Sequence, residues 1–367
     1  MSKVKRQHYV PQFYLKQWHN DKSNEQIYVY NKDTKKSYST NIKGIASSNY
    51  FYDYPELTEK QKKEFIKEIN NSKELTAPEK EQIIKNIDKQ IIENILSEIE
   101  TINSTILNSI IMKLNNIKAL PINYFLHHNF INNEEIIDLS YFIALQYVRT
   151  EEMRIVHNDM KKWFTKIMLD NLLQNIDNYE HDEKFIKKMG GIEEVNSFKN
   201  NIKNGKIDIK NFEINIDETY NKINHLSSIF EHAEEISKYL MNYKWIILIN
   251  NTFIPFITTD NPVVKKANLN MLFSTGFASK GIEIYYPISP KYAISIWEPS
   301  YFKEIAPDLF NQTILEIKES NVIHNNDLLI QSSTSQIYSN INDFTWVEKR
   351  IKDTPSIASK KRPRINN

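Results

Sequence analysis

Apolar and polar positions alternate with a period of two over residues 26–31 (Gln-Ile-Tyr-Val-Tyr-Asn). Residues 36–40 have a similar extended character, and Lys32, Asp33 and Thr34 between them suit a turn. The pattern predicts a β-hairpin. After the aromatic cluster at 50–55, which reads as packing, the period lengthens. Ile83, Ile87, Ile91, Ile95, Ile99, Ile102 and Ile106 form a helical stripe behind Thr76-Ala77-Pro78-Glu79. That tetrapeptide has capping-box spacing and a proline in the first turn. One long helix ending near Asn115 is expected, its charged side solvated, with a charged helical arm over 60–73 before it. A second helix begins at Asn133-Glu134-Glu135 and follows Ile136, Leu139, Phe142, Ile143, Leu145, Val148 and Met153 to about Leu169. Residues 184–216 are mixed, and a third helix covers roughly 219–241.

Beyond residue 242 the pattern becomes β. Strands are expected at 244–249, 253–258, 282–286 and 293–298, with Asn250-Asn251 as a hairpin turn and Pro287-Ile288-Ser289-Pro290 as a rigid one. Helices are expected at 301–310 and 311–329, and a last strand at 336–339. The fold class that follows is α+β: a central helical region packed against an antiparallel β-sheet formed by the N-terminal hairpin and the C-terminal strands. A single globular domain is expected over 1–352, with 1–55 the opening motif and hairpin, 56–241 mainly helical and 242–352 mainly β with two helices. Residues 353–367 read as a disordered basic tail.

Composition narrows the function classes. The chain has 367 residues, 25% charged, with a net charge of +1, so no global field draws it to nucleic acid or an anionic membrane. The basic run Lys360-Lys361-Arg362-Pro363-Arg364 is a local exception that offers a weak nucleic-acid contact. Zero cysteines remove disulfides, thiolate nucleophiles and thiolate zinc sites together. The six glycines build neither a G-x-G-x-x-G nor a Walker loop, so no nucleotide-cofactor motif is present. No spacing demands a metal, and none excludes a divalent ion. No apolar run reaches the length of a membrane span, and the opening residues lack the apolar core of a signal peptide. A cytoplasmic location without membrane partners is the expectation.

Polar residues that interrupt apolar segments are the candidates for chemistry. His8 stands in Arg6-Gln7-His8-Tyr9-Val10-Pro11-Gln12-Phe13-Tyr14-Leu15, whose large side chains argue for docking onto the fold. Gln146 and Arg149 share a helix face at i and i+3, and a buried arginine there demands an anion or carbonyl partner. Asp260 and Asn261 end the 253–258 strand ahead of Pro262, and Asp260 is the expected partner of Arg149. Asn326 adds an amide. In the catalytic reading His8 is general acid or base, because its ordinary pKa near 6.5 suits proton transfer. Asp260 orients the imidazole or helps hold a metal, Arg149 stabilises an anionic substrate or transition state, and Gln146, Asn261 and Asn326 position groups by hydrogen bonds. In the alternative reading Arg149 and Asp260 form a structural clasp between helix and sheet. His127-His128, His225 and His232 lack the spacing for a shared metal.

In these same segments the chain resembles the domain of unknown function 4238 family, found mainly in bacteria. The matching patches are His-Tyr-Val-Pro followed by an aromatic and leucine at His8 to Leu15, Gln-Tyr-x-Arg-Thr at Gln146 to Thr150 with a further arginine at Arg154, and Trp245 followed by Phe256 to Pro262. The Pro287 to Pro290 turn and Asn326 complete the pattern. The resemblance implies that these patches belong to one fold and that Arg154 joins the candidate substrate-binding set. It also implies an accessory bacterial role, associated in some members with mobile or phage-defence genes. The expected function is a hydrolase acting on a phosphate-bearing substrate, nuclease-like and defence-associated. The alternative is a non-catalytic binding protein.

Overall fold

The structure is a computed structural model. It describes residues 4–358 apart from Lys22, 54–58, 72–75, 86–89, 117–129, 176–177, 179–180, 207–213 and 270–275. The basic run at 360–364 and the His127-His128 pair lie outside the described residues. By internal contacts the chain forms two compact units, one of Met1–Arg154 with Lys222–Asn367 and one of Ile155–Asn221, where the sequence suggested a single domain over 1–352.

The N-terminal part docks, as its aromatic content predicts. β1 (Arg6–His8) leads through Pro11 into the short helix α1 (Gln12–Leu15), and Tyr9, Val10, Tyr14, Leu15 and Trp18 are all buried. The Tyr14 hydroxyl donates to the Pro287 carbonyl at 2.8 Å and the Trp18 indole to the Phe256 carbonyl at 2.9 Å. The predicted hairpin forms as β2 (Gln26–Asn31) and β3 (Lys36–Asn41), and β4 (Ser47–Asn49) pairs antiparallel with β1.

The helices follow. They are α2 (Glu59–Asn71), α3 (Ala77–Lys85), α4 (Ile91–Asn115), α5 (Asn133–Val148) and α6 (Glu151–Gln174). The Ile stripe therefore belongs to more than one helix. Gln90 leaves helical geometry (φ −107°, ψ 14°) and its side-chain amide exchanges hydrogen bonds with the Val4 backbone at 2.9 and 2.8 Å. The second predicted helix is also interrupted. Arg149 ends α5, and the Thr150 hydroxyl accepts the Met153 N–H, starting α6 with Glu151 and Glu152 in its first turn. The second unit contains α7 (Glu183–Met189) and α8 (Ile192–Lys203); α9 (Glu218–Met241) then leads into the β-rich part.

That part contains β5 (Lys244–Asn250), β6 (Thr258–Thr259), β7 (Val264–Ala267), β8 (Ile282–Pro287), β9 (Tyr292–Trp297), α10 (Pro299–Ile305) and α11 (Pro307–Phe310). It ends with β10 (Ile314–Ile317), α12 (Glu319–Ser332), β11 (Gln336–Ser339) and α13 (Thr345–Asp353). The N-terminal hairpin joins C-terminal strands in a four-stranded antiparallel sheet ordered β3-β2-β11-β6. The α+β class holds, but a second, mixed sheet ordered β10-β5-β9-β8-β7 stands beside it, with β10 parallel to β5.

Three expectations fail here for local reasons. Residues 253–257 are not a strand and Asn250-Asn251 closes no hairpin, because Pro255 has no N–H to give a ladder and Phe253 is fully exposed. Residues 314–317 are a strand rather than helix, since pairing with β5 overrides their local preference. The described start of the expected tail is structured: Pro355–Ala358 form a 3-10 turn with Ile357 buried against the core, and residues 359–367 lie outside the described residues.

Candidate functional site

Three buried amides draw the elements of the site together. The Gln7 amide donates to Asp53 Oδ1 at 2.6 Å, its oxygen accepts the Tyr52 N–H at 2.6 Å, and Gln90 donates to the same Asp53 oxygen at 2.9 Å. This knot fixes the start of α4 beside β1. Gln146 then donates to the Tyr9 carbonyl at 2.9 Å, tying α5 to the residue after His8. Between α1 and α4 lies a cavity of about 500 Å³ lined by His8, Gln12, Phe13, Glu93, Leu96, Ser97, Glu100, Thr101, Ser104 and Thr105. The α4 members follow a helical repeat on one face.

Of the seven nominated residues only His8 lines this cavity. Its Nδ1 lies 3.4 Å from the Gln12 amide nitrogen, and its Nε2 is buried without a hydrogen-bond partner. Burial pulls its pKa down to about 4, with Arg6 and Arg149 pushing the same way against nearby carbonyls of Ile42 and Lys43. The imidazole is therefore neutral at neutral pH, and its ordinary titration near 6.5 does not survive folding.

The residue poised near neutrality is Glu93. Burial raises its carboxyl to about 7, with Glu100 and Asp53 adding to the shift and Arg149 opposing it. Seven residues on, Glu100 forms an ion pair with Arg149, Oε1 to Nη2 at 2.9 Å. Arg149 is fully buried. Its Nε donates to the Tyr9 carbonyl at 3.3 Å and to Gln146 Oε1 at 3.2 Å, while Nη1 has no partner. Burial pulls its pKa down, but Tyr52, Glu100 and Glu93 outweigh this and hold it above the ordinary arginine value.

Asp260 is not the partner of Arg149. Its carboxylate accepts the backbone N–H groups of Thr334 (2.8 Å), Ser335 (2.7 Å) and Gln336 (2.9 Å), which fixes the entry into β11. Asn261 accepts from the Thr150 hydroxyl at 3.0 Å and donates to the Ser332 carbonyl at 3.0 Å. Asn326 accepts the Ile257 N–H and donates to the Pro255 carbonyl, holding the irregular strand-like segment against α12. Arg154 donates to the Phe51 carbonyl at 3.0 Å, lies 3.6 Å from the centroid of that ring, and has its pKa lowered to about 10, chiefly by burial. Its Nε donates to His225 Nδ1, which leaves His225 Nε2–H for the Val148 carbonyl at the end of α5. All four side chains make local structural bonds away from the cavity lining.

Sequence reasoning missed Glu93 and Glu100, which it placed on a solvated side of the helix. The signal was present. In a chain rich in long charged residues, Ser97, Thr101, Ser104 and Thr105 are short, and short side chains between two glutamates leave a hollow. Among the described residues no group of three or more His, Asp or Glu could hold a metal ion, and no helix is long and apolar enough to cross a membrane.

The family model described as "Protein of unknown function (DUF4238)" matches residues 6–343, from β1 to just before α13. The chain belongs to the DUF4238 family. No curated protein and no solved structure matches it. The DUF4238 match takes in both walls of the cavity, His8 on one side and Glu93 and Glu100 on the other, together with the buried Arg149.

Proposed function

We propose that this DUF4238 protein is a hydrolase whose general acid–base is Glu93, with Glu100, paired to Arg149, as the second carboxylate beside it. The observation that carries this reading is the placement of Glu93 and Glu100 on one face of α4, both opening on the cavity opposite His8. Their settings differ: one carboxyl is held near neutrality by burial, the other is paired with a guanidinium. Such divergence is how acid and base roles are divided between two carboxylates. A base titrating near the working pH combines the right protonation state with useful driving force. The neutral His8 ring serves as a wall and a hydrogen-bonding group.

The phosphate-bearing substrate expected earlier finds little support in this pocket. The charged residues that line the cavity, Glu93 and Glu100, are both acidic and disfavour a dianion. We therefore place the bond to be cleaved in an ester, amide or glycoside. Chromogenic p-nitrophenyl acetate and p-nitrophenyl glycosides test this directly, with bis-p-nitrophenyl phosphate as the rival. Turnover with an inflection near pH 7, lost in Glu93→Gln, is expected. Equal turnover by Glu93→Gln, or turnover of the phosphodiester alone, overturns the reading.

A second reading, a non-catalytic binding protein, draws on the hydrogen bonds of Asp260, Asn261, Asn326 and Gln146, all of which serve the fold. Under it, no substrate turns over at any pH.

A further inference from the structure

Arg149 is a fully buried cation with poorly satisfied terminal nitrogens. A guanidinium offers five N–H groups in a planar fork, and leaving them unmet in a protein interior is costly. Here Nε makes the aligned hydrogen bonds. Nη2 has only the ion pair with Glu100 at 2.9 Å, and Nη1 has no hydrogen-bond partner. Arg149 does not itself line the cavity; the carboxylate it touches, Glu100, does, and so stands between the guanidinium and the hollow. Glu100 itself is 26% exposed, reaching in from the solvent side. Two further buried polar atoms without partners, Tyr286 Oη and His8 Nε2, belong to rings that feel the Arg149 charge. A buried donor left unmet in a native fold calls for a physical reason, and a ligand is one.

We propose that the cavity wall at Glu100 covers a carboxylate-binding subsite, in which a ligand carboxylate pairs with the Arg149 guanidinium behind that wall and Glu100 is its displaceable stand-in. The planar fork of arginine matches a carboxylate through two parallel hydrogen bonds, using the nitrogens that Glu100 uses badly. A monoanion suits the site better than a phosphate dianion, because Glu93 and the displaced Glu100 stand beside it. Phe13 and Leu96 in the cavity lining give an apolar surface for the body of an organic acid.

Binding carries a pH signature. The groups acting on Glu93 are Glu100 on its own helix, Arg149 from α5, and Asp53 and Tyr52 from the N-terminal loop, with His8 across the cavity. A protonated Glu93 presents an O–H to the incoming carboxylate, and an ionised one repels it. Affinity for a carboxylate therefore falls as pH rises through 7, by about tenfold between pH 6 and pH 8 if only the protonated form is competent.

The inference rests on the same cavity as the hydrolase reading, but its test needs no turnover. Propionate is titrated into the full chain by isothermal calorimetry or chemical-shift perturbation, with n-butylammonium and inorganic phosphate as comparators. Propionate is expected to bind, and Arg149→Lys to abolish binding. Glu100→Gln, which removes the competing anion, is expected to tighten binding by about tenfold. Arg149→Lys carries the risk of unfolding. The Glu100→Gln arm therefore stands alone: propionate should raise its melting temperature more than that of the parent protein. No tightening in Glu100→Gln, or preferential binding of n-butylammonium or phosphate, overturns the proposal. Glu93→Gln separates the two ideas, since it should lose turnover while keeping propionate. Propionate binding without turnover in the parent protein would sink the hydrolase reading alone.

Discussion

Asp260 and Glu100 are both carboxylates beside cations, and their surroundings are opposite. Asp260 is 2% exposed, accepts three backbone N–H groups and the Ser335 hydroxyl, and feels the Lys32 charge. Lys32 in turn donates to the Ile330 and Ser333 carbonyls at 2.9 and 2.7 Å. Burial raises the Asp260 pKa, and the backbone donors pull it back. Glu100 has one ion pair, a partly exposed side chain and a cavity beside it. The first arrangement satisfies its polar groups and closes the chain; the second leaves donors unmet behind a carboxylate that lines a cavity. Polar residues in apolar segments thus divide into those that serve the fold and those available to a ligand, and hydrogen-bond accounting separates them.

The largest expected effect would break this comparison at Asp260. Asp260→Ala strips the acceptor from three backbone N–H groups at once and should destabilise the protein by about 3–5 kcal/mol. Urea denaturation followed by circular dichroism measures it. An unchanged midpoint, together with lost propionate binding, would move Asp260 from the structural group to the site. A smaller effect sharpens the contrast. Asn326→Ala removes one acceptor and one donor between α12 and residues 255–257, for about 1–3 kcal/mol. Ser104→Ala on the cavity face should stay within about 0.5 kcal/mol and change ligand affinity instead. Similar losses of stability in both variants would erase the distinction.

Much of the fold could be read before any coordinates. The 26–40 hairpin, the strands at 244–249, 282–286 and 336–339, and the 219–241 helix carry strong local periodicity, and the structure contains them. What could not be read depends on distant partners. Residues 314–317 are a strand because β5 offers an edge, and the helix break at Arg149–Thr150 exists because Tyr52 and His225 take the carbonyls of Arg149 and Val148. For the site, the sequence located the polar interruptions but not their destinations. Arg149 was rightly expected to need a partner. That partner is Glu100 rather than the expected Asp260, because α4 packs on α5, a contact no local pattern encodes. His8 was placed correctly in the docked segment, and its burial, which removes its titration near neutrality, became visible only in three dimensions.

A further effect is a pH dependence that the parent protein hides. His8 has its folded pKa lowered from 6.5 to about 4, so its contribution is present above pH 6.5 and is lost as pH falls through 4. Glu93 is raised from 4.5 to about 7, so its contribution is present below pH 4.5 and is lost as pH rises through 7. Between pH 4.5 and 6.5 the two slopes oppose, and the melting temperature should change little from this pair. Each variant uncovers the other slope. Glu93→Gln should lose stability on acidification through that window, and His8→Asn should lose it on alkalinisation. Each change should be on the order of 1 kcal/mol after discounting for partial exposure. Melting curves of the three proteins at half-unit pH steps decide the matter. Parallel curves would mean that neither group is perturbed by the cavity, and the contrast between the closed Asp260 region and the open His8 region would lose its electrostatic half.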